Sequence, residues 1–568
     1  MGLYINGFLE PSRFIFFVLG AVYWYTPFAT PSPIGVPNLR ECQLATDRSV
    51  KGPLQTVKLN CCLPIPPGNV MDFSFDKYKA TTKRLRMPAH KVGSDYIAKY
   101  RRAYELMRSL PQDDTRSFAT QANVHCAFCN GAYKQAGNDS VLLQVHFSWL
   151  FLAWHRWYLY FHERILASLV GDPNFSLVFW NWDDQRDGGN VMPAMFLPTD
   201  SSLYDAKRNQ SNLPPTLVNL VPGITGNNSE IINQNLNAMY QDIVTNDNAE
   251  LFMGGTYVTG TDLSNSTVLS APLGGSIENG VHNAIHFWTG DITQPLLQDM
   301  GGFTTAARDP IFYAHHSNVD RLWDKWRYGL PGGPRADHSD PDFLNAEFYF
   351  YDENGSLVKV KVSDALDSSK LGYGYPEVAA DELWINYSPA PITSGSAVPA
   401  ARASGVPVVG AAPQNGTISL GSGLTAIVAA PGNTSRSTKQ GEVVVIQGLK
   451  VTRDSFVSVL VFVNLPSANS STATSSAEYV GTYNIIPAPG KTLIANVNLE
   501  IGDNLQRIGI QNEAEVVLSL VVKGNQPITI QGLLIRYDSG ITSDAMATVL
   551  CHTSLIIYLI LTVCLTTE

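Results

Sequence analysis

The chain has 568 residues, 45% of them hydrophobic and only 15% charged, with a net charge of −10. At roughly 100–200 residues per domain there is room for two or three domains, and the acidic balance argues against nucleic acid as a partner. The composition excludes a wholly disordered or fibrous chain, and the sequence lacks the repeated apolar spans of a polytopic membrane protein.

The first apolar run, Phe14–Tyr25, follows Arg13 and gives way to Pro, Ser and Thr. That is the outline of a secretory signal peptide or signal anchor, assigned to residues 1–29. A plastid transit peptide would be rich in Ser and Arg, and this segment is not. Residues 30–75 are rich in Pro and Cys without sustained periodicity, and read as an extended arm that needs staples. Tyr96, Tyr100, Ala103, Tyr104 and Met107 then fall at helical spacing. The aromatic stretch over 141–169 predicts a helix buried on nearly every side, broken or turned near Trp154–His155. Residues 185–270 read as loops. Helical signals return at 278–288 and 309–328.

From 377 to 440 the composition shifts to Pro, Ala, Gly, Ser and Thr, which reads as a linker open to proteolysis. Beyond it, six short β-branched segments at near-regular spacing predict a β-sandwich over 441–538. Residues 545–565 form an uncharged run long enough to span a bilayer. The small residues Ser539, Gly540 and Ser543 precede it, so a lipid-anchor signal is the other reading. Asn-x-Ser/Thr triplets begin at Asn138, Asn174, Asn209, Asn227, Asn265, Asn354, Asn386, Asn415, Asn433 and Asn469. With few charges, these suit a glycosylated secreted protein.

Most of the eleven histidines fall in two groups: His125, His146 and His155, then His282, His286, His315 and His316. His282 and His286 are four apart, so on a helix both imidazoles share one face. A lone histidine in an aromatic helix is usually a satisfied core residue. Two triplets in apolar helices are different, because each ring nitrogen needs a partner. Two metal ions would satisfy them together, and an all-nitrogen donor set suits copper, zinc or iron.

The segments His125–Tyr133 (HCAFCNGAY), His155–Leu166, Phe179–Asp183 (FWNWD), His282–Asp291 and Asp309–Trp323 resemble the plant polyphenol oxidases, the type-3 dicopper tyrosinases and catechol oxidases. The resemblance is dense over residues 40–376 and thinner beyond. It implies an α+β multidomain protein, with a mainly α-helical four-helix-bundle dicopper domain over 30–376 and a C-terminal β-sandwich shielding domain. It implies that His125, His146 and His155 hold one copper ion, and that His282, His286 and His316 hold the other. His315 is then a neighbour, and His90, His162, His338 and His552 match no ligand position. The resemblance also implies disulfides Cys42–Cys62 and Cys61–Cys126, and a thioether from Cys129 to His146. Cys551 and Cys564 have no counterpart.

The reaction implied is oxidation of o-diphenols to o-quinones, with dioxygen as co-substrate reduced to water. Glu278 and Asn283 match the pair that holds a basic water, which adds o-hydroxylation of monophenols. Phe303 matches the residue overhanging the centre, and Asn318 and Asp320 are expected to orient the ligand helix. Latency is expected to last until a processing protease removes the C-terminal domain. That domain's usual Lys-Phe-Asp-Val start is replaced by Ser458-Val459-Leu460-Val461, which leaves the plugging residue unassigned. The alternatives are a haemocyanin-like dioxygen-binding protein without turnover and a one-zinc hydrolase. The termini favour the secretory pathway (extracellular, cell wall or vacuole) with possible membrane attachment through the tail; the plastid thylakoid lumen is the alternative.

Overall fold

The computed structural model describes residues 33–48, 56–78, 82–257, 274–294, 297–411, 417–431, 441–488 and 491–537. The signal at 1–29, the tail at 545–565, Cys551, Cys564, His552, Asn265, Asn415 and Asn433 lie outside them. No helix among the described residues is long and apolar enough to cross a membrane.

Four helical segments carry the histidines. The first is Phe118–Cys129, whose N-terminus is capped by the Ser117 hydroxyl accepting from the Thr120 N–H. The second, Leu150–Val170, is buried on nearly all sides from Leu150 to Ala167. The expected break at Trp154–His155 is absent, because the irregularity comes earlier. Phe147 adopts a left-handed conformation (φ 61°), and regular helix begins only at Leu150. His146 therefore sits before the helix and not on it. The third is a π-helical turn, Glu278–His282, continued by the helix Asn283–Thr289. Asp242 holds it by accepting the Val281 N–H at 2.9 Å. Gly280 is required there: its ψ of −107° is not helical, and a Cβ would lie 1.8 Å from an Asp242 carboxylate oxygen. The fourth is Ile311–Tyr328.

Buried charge locks the fourth helix to the second. Asp320 accepts from Arg156 at 2.5 Å, from Arg86 at 3.1 Å and from the Tyr373 hydroxyl at 2.7 Å. Arg321 joins Asp183 at 2.7 Å and Asp381 at 2.8 Å, and Asn318 donates to Asp183 at 2.7 Å. Such pairs gain little net energy over an apolar core, yet losing one partner strands a charge. Their fixed geometry sets the rotation of the helix that carries His315 and His316.

The arm is stapled as expected. Cys42–Cys62 closes it on itself, and Cys61–Cys126 ties it to the first histidine helix. The region 185–270 holds more helix than its composition suggests. Asn228–Met239 starts with a full capping box between Asn227 and Glu230.

The C-terminal sandwich has two antiparallel sheets. One orders Ile418–Ser419, Ile528–Ile530, Glu442–Thr452 and Thr492–Glu500, with Gly532–Tyr537 also paired to Glu442–Thr452. The other orders Gly423–Ala429, Glu515–Lys523, Val457–Val463 and Tyr479–Ile485. The expected linker over 377–440 is thus partly sheet, since Gly423–Ala429 pairs along its whole length with Glu515–Lys523. It also contains the short helices Asp381–Ile385 and Val398–Ala403. Its 390s are fastened to the sandwich, where Glu478 accepts the N–H groups of Ile392 and Thr393 at 2.7 Å. The small-residue composition here serves close packing on the sheet face.

Candidate metal centre

Seven histidines, each 2% exposed or less, meet at the centre of the helical domain: His125, His146, His155, His282, His286, His315 and His316. Four of them anchor Nδ1 on a backbone carbonyl. His125 donates to Phe303 at 3.0 Å, His155 to Phe151 at 2.8 Å, His286 to Met300 at 2.7 Å and His282 to Glu278 at 3.2 Å. A carbonyl can only accept, so Nδ1 carries the ring proton and Nε2 keeps a lone pair.

Those lone pairs converge. The Nε2 atoms of His282 and His286 lie 3.0 Å apart, and those of His282 and His316 lie 3.3 Å apart. The Nε2 atoms of His125 and His155 and both ring nitrogens of His146 are buried without a hydrogen-bond partner. Burial lowers the basicity of every one of these rings, His155 to about 3 and His286 to about 4. All are therefore neutral at physiological pH, the state a metal ligand needs. Buried, inward-facing acceptors without donors are costly unless a cation takes them up. The donor set fits copper.

His315 is set apart by its tautomer. The Trp182 indole N–H, which can only donate, is 3.1 Å from His315 Nδ1. The proton of this neutral ring is thereby placed on Nε2, which leaves no lone pair to offer a metal.

The ligand atoms cluster in three groups, each within 4.8 Å: His282, His286, His315 and His316; His125, His155 and His316; and His125, Cys129 and His146. The second triplet expected from sequence, His282, His286 and His316, lies within one cluster that also takes in His315. The first is looser: His125, His146 and His155 have ring centroids 5.2–5.5 Å apart, and His155 stacks on His316 at 4.2 Å. His146 is drawn instead against Phe303, ring on ring at 4.2 Å. Cys129 is buried and not disulfide-bonded.

Glu278 lies at the rim. It is fully buried; one oxygen accepts the Phe147 N–H at 2.8 Å and the other has no partner. Burial pushes its carboxyl up to about 8. Asn283 accepts from His282 Nδ1 at 3.1 Å and donates to the Asn484 carbonyl at 2.9 Å. Phe303 stacks on His146 and supplies the carbonyl that orients His125. The remaining described histidines have other roles. His162 meets the Tyr104 hydroxyl at 3.1 Å, His338 donates to the Gly254 carbonyl at 2.9 Å, and His90 lies 3.6 Å from Asp184.

Sequence reasoning missed the residue that covers this site. Arg453, at the end of a sandwich strand, places its guanidinium 5.0 Å from the Phe147 ring and 5.7 Å from the Phe303 ring. Three residues on, Phe456 stacks on Phe287 at 3.7 Å. The only sequence cue is Arg453-Asp454-Ser455-Phe456, a charged and aromatic turn between two apolar strands.

Residues 115–328 match the common central domain of tyrosinase, 337–390 the polyphenol oxidase middle domain, and 417–537 the chloroplastic polyphenol oxidase C-terminal domain. A chloroplastic polyphenol oxidase of Malus domestica is 41% identical over 537 residues, covering 90% of this chain and 86% of that one. The chain belongs to the plant polyphenol oxidases. Aureusidin synthase of Antirrhinum majus is 38% identical, covering 90% of this chain and 91% of that protein. Among solved structures, latent apple tyrosinase superposes with a TM-score of 0.74 at 40% identity, covering 83% of this chain and all of that one. A latent aurone synthase superposes at 0.77 and 32% identity, covering 89% and 99%. The chain is therefore an oxidoreductase of the dicopper type, and a dioxygen carrier without turnover is not favoured. The tautomer argument predicts that His316→Ala loses about half the bound copper while His315→Ala retains it. Metal analysis after copper loading checks this, and equal loss in both variants contradicts it.

Proposed function

We propose that this polyphenol oxidase oxidises o-diphenols to o-quinones and also hydroxylates monophenols, and that it stays latent while its C-terminal domain is docked. The observation that carries the reading is the set of buried, neutral imidazoles with inward Nε2 lone pairs. His125, His146 and His155 would hold one copper ion, and His282, His286 and His316 the other. A bound copper pair supplies the redox chemistry, through which one dioxygen becomes two waters as two diphenols each give up two electrons.

The chain's own residues do the rest. Phe303, stacked on the His146 ring, would present an aromatic face beside the centre to an incoming phenol. Glu278 offers an oxygen with no protein partner, and burial raises the affinity of its carboxylate form for a proton. Through a water shared with Asn283, it takes the proton from an incoming phenol. Removing that assistance affects hydroxylation, whose substrate must be deprotonated at the site, more than diphenol oxidation. After proteolytic activation, Asn283→Gly is expected to depress tyramine hydroxylation about 10²-fold, the lower range for general base catalysis, with a much smaller effect on catechol. Equal loss on both, measured by oxygen uptake, excludes the water-holding role.

Cys129 is proposed to be joined to His146, because both belong to one cluster of potential ligand atoms and the cysteine is not disulfide-bonded; the thiol S–H and an imidazole C–H are lost, their two hydrogens and two electrons passing to dioxygen. After reduction of the two disulfides, the mature protein is then short by two hydrogens in intact mass, a deficit that Cys129→Ala abolishes. A full-mass wild-type chain excludes the link.

For location, several relatives carry chloroplastic names, from Malus domestica, Solanum lycopersicum and Vitis vinifera, which favours the plastid alternative over the secretory route. Uptake of the full chain by isolated chloroplasts with trimming of its N-terminus is the expected result. Entry into microsomes instead restores the secretory reading.

A further inference from the structure

The contact between the C-terminal domain and the helical domain does more than cover the centre. Asn484, in the strand Tyr479–Ile485, makes two buried bonds across it and a third within the sandwich. Its carbonyl accepts from the Asn283 side chain at 2.9 Å, its own side-chain N–H donates to the Gly280 carbonyl at 2.9 Å, and its side-chain oxygen accepts from the Ser458 hydroxyl at 2.6 Å. The Asn283 amide is thus committed at both ends, its oxygen to His282 and its nitrogen to Asn484. The residue proposed to polarise a water beside Glu278 has its orientation dictated from the other domain. The Gly280 clamp grips the one non-helical residue of the turn that carries both Glu278 and His282.

We propose that the C-terminal domain silences hydroxylation selectively, by pinning the Asn283 amide to the Asn484 carbonyl and the Glu278–His282 turn to the Asn484 side chain. A cover that merely blocks entry would suppress monophenols and diphenols alike. A pin on Asn283 suppresses the reaction that needs the water and leaves the direct oxidation limited by access alone. Loosening the pin therefore restores hydroxylation by a larger factor than diphenol oxidation. The inference rests on the water-holding reading of Asn283.

Two measurements test it on the full chain. In metal-free protein, Asn283→Gly removes the donor to Asn484, and amide hydrogen exchange over residues 479–485 should accelerate several-fold. Unchanged exchange shows that the contact holds nothing and overturns the pin. In copper-loaded, uncleaved protein, Asn484→Ala, which keeps the backbone carbonyl bonded to Asn283 but releases the Glu278–His282 turn from its Gly280 clamp, should raise tyramine hydroxylation several-fold more than catechol oxidation. Ser458→Ala, which frees the Asn484 side chain while leaving it in place, should do the same to a smaller extent and guards against a folding defect in the first variant. An equal rise on both substrates, or no rise in either variant, overturns the proposal. If equal rises occur while Asn283→Gly still spares catechol oxidation in activated enzyme, the pin alone fails. If Asn283→Gly shows no selectivity there, the water-holding reading fails and the proposal with it.

Discussion

Everything at this centre depends on a modest interaction, the hydrogen bond from a histidine Nδ1 to a backbone carbonyl. Four such bonds, to Phe303, Phe151, Met300 and Glu278, decide which nitrogen of each ring is left basic. The carbonyls come from three stretches of chain, so the backbone paths of those stretches are as functional as the imidazoles. This accounts for irregular structure inside a helical domain. The left-handed Phe147 brings its N–H to Glu278, and the kink at Gly280 gives the Asp242 carboxylate a place to bind the turn. The inverse arrangement at Trp182 and His315 shows how fine the control is. Exchanging a carbonyl for an indole N–H turns the same side chain from a prospective ligand into a bystander.

Burial contributes separately. It holds the rings neutral by making a positive imidazole expensive, and it raises the Glu278 carboxyl into the range where it can accept and release a proton. A wetter pocket would leave the histidines competing with protons for the metal and the glutamate too weakly basic. The aromatic density of the Leu150–Val170 helix is the means by which the sequence keeps water out.

Much of this was legible in the residues themselves. Spacing and polarity point to helix around Tyr96–Met107, at 278–288 and at 309–328, within a residue or two of where the structure has it. The six later strands were equally plain, being β-branched runs between turn residues. The motif resemblance gave the histidines and the disulfide pairs. What periodicity could not carry was set by long-range contacts. The start of the helix at Leu150 depends on a backbone bond from Phe147 to a residue 131 positions away. The Asn228–Met239 helix has a weak apolar stripe and is announced only by its capping residues. Arg453 carries no such signal, since nothing nearby in sequence says that two phenylalanines of another domain lie beneath it. The sheet content of 377–440 was hidden because Ala, Gly and Ser signal flexibility and tight packing with the same letters.

That last point bears on how the chain is unlocked. Gly423–Ala429 is an integral strand, hydrogen-bonded along its length to Glu515–Lys523, while covalently it precedes residues 432–440. A protease acting within 432–440 therefore cuts the polypeptide without freeing the cover, because the strand left on the catalytic fragment still zips the two pieces together. A cut between Tyr387 and Ile392 instead leaves the sandwich whole, together with the segment that Glu478 and the Gly423–Ala429 strand hold to it. Cleavage and activation are thus distinct events, and the address of the broken bond decides whether the first leads to the second.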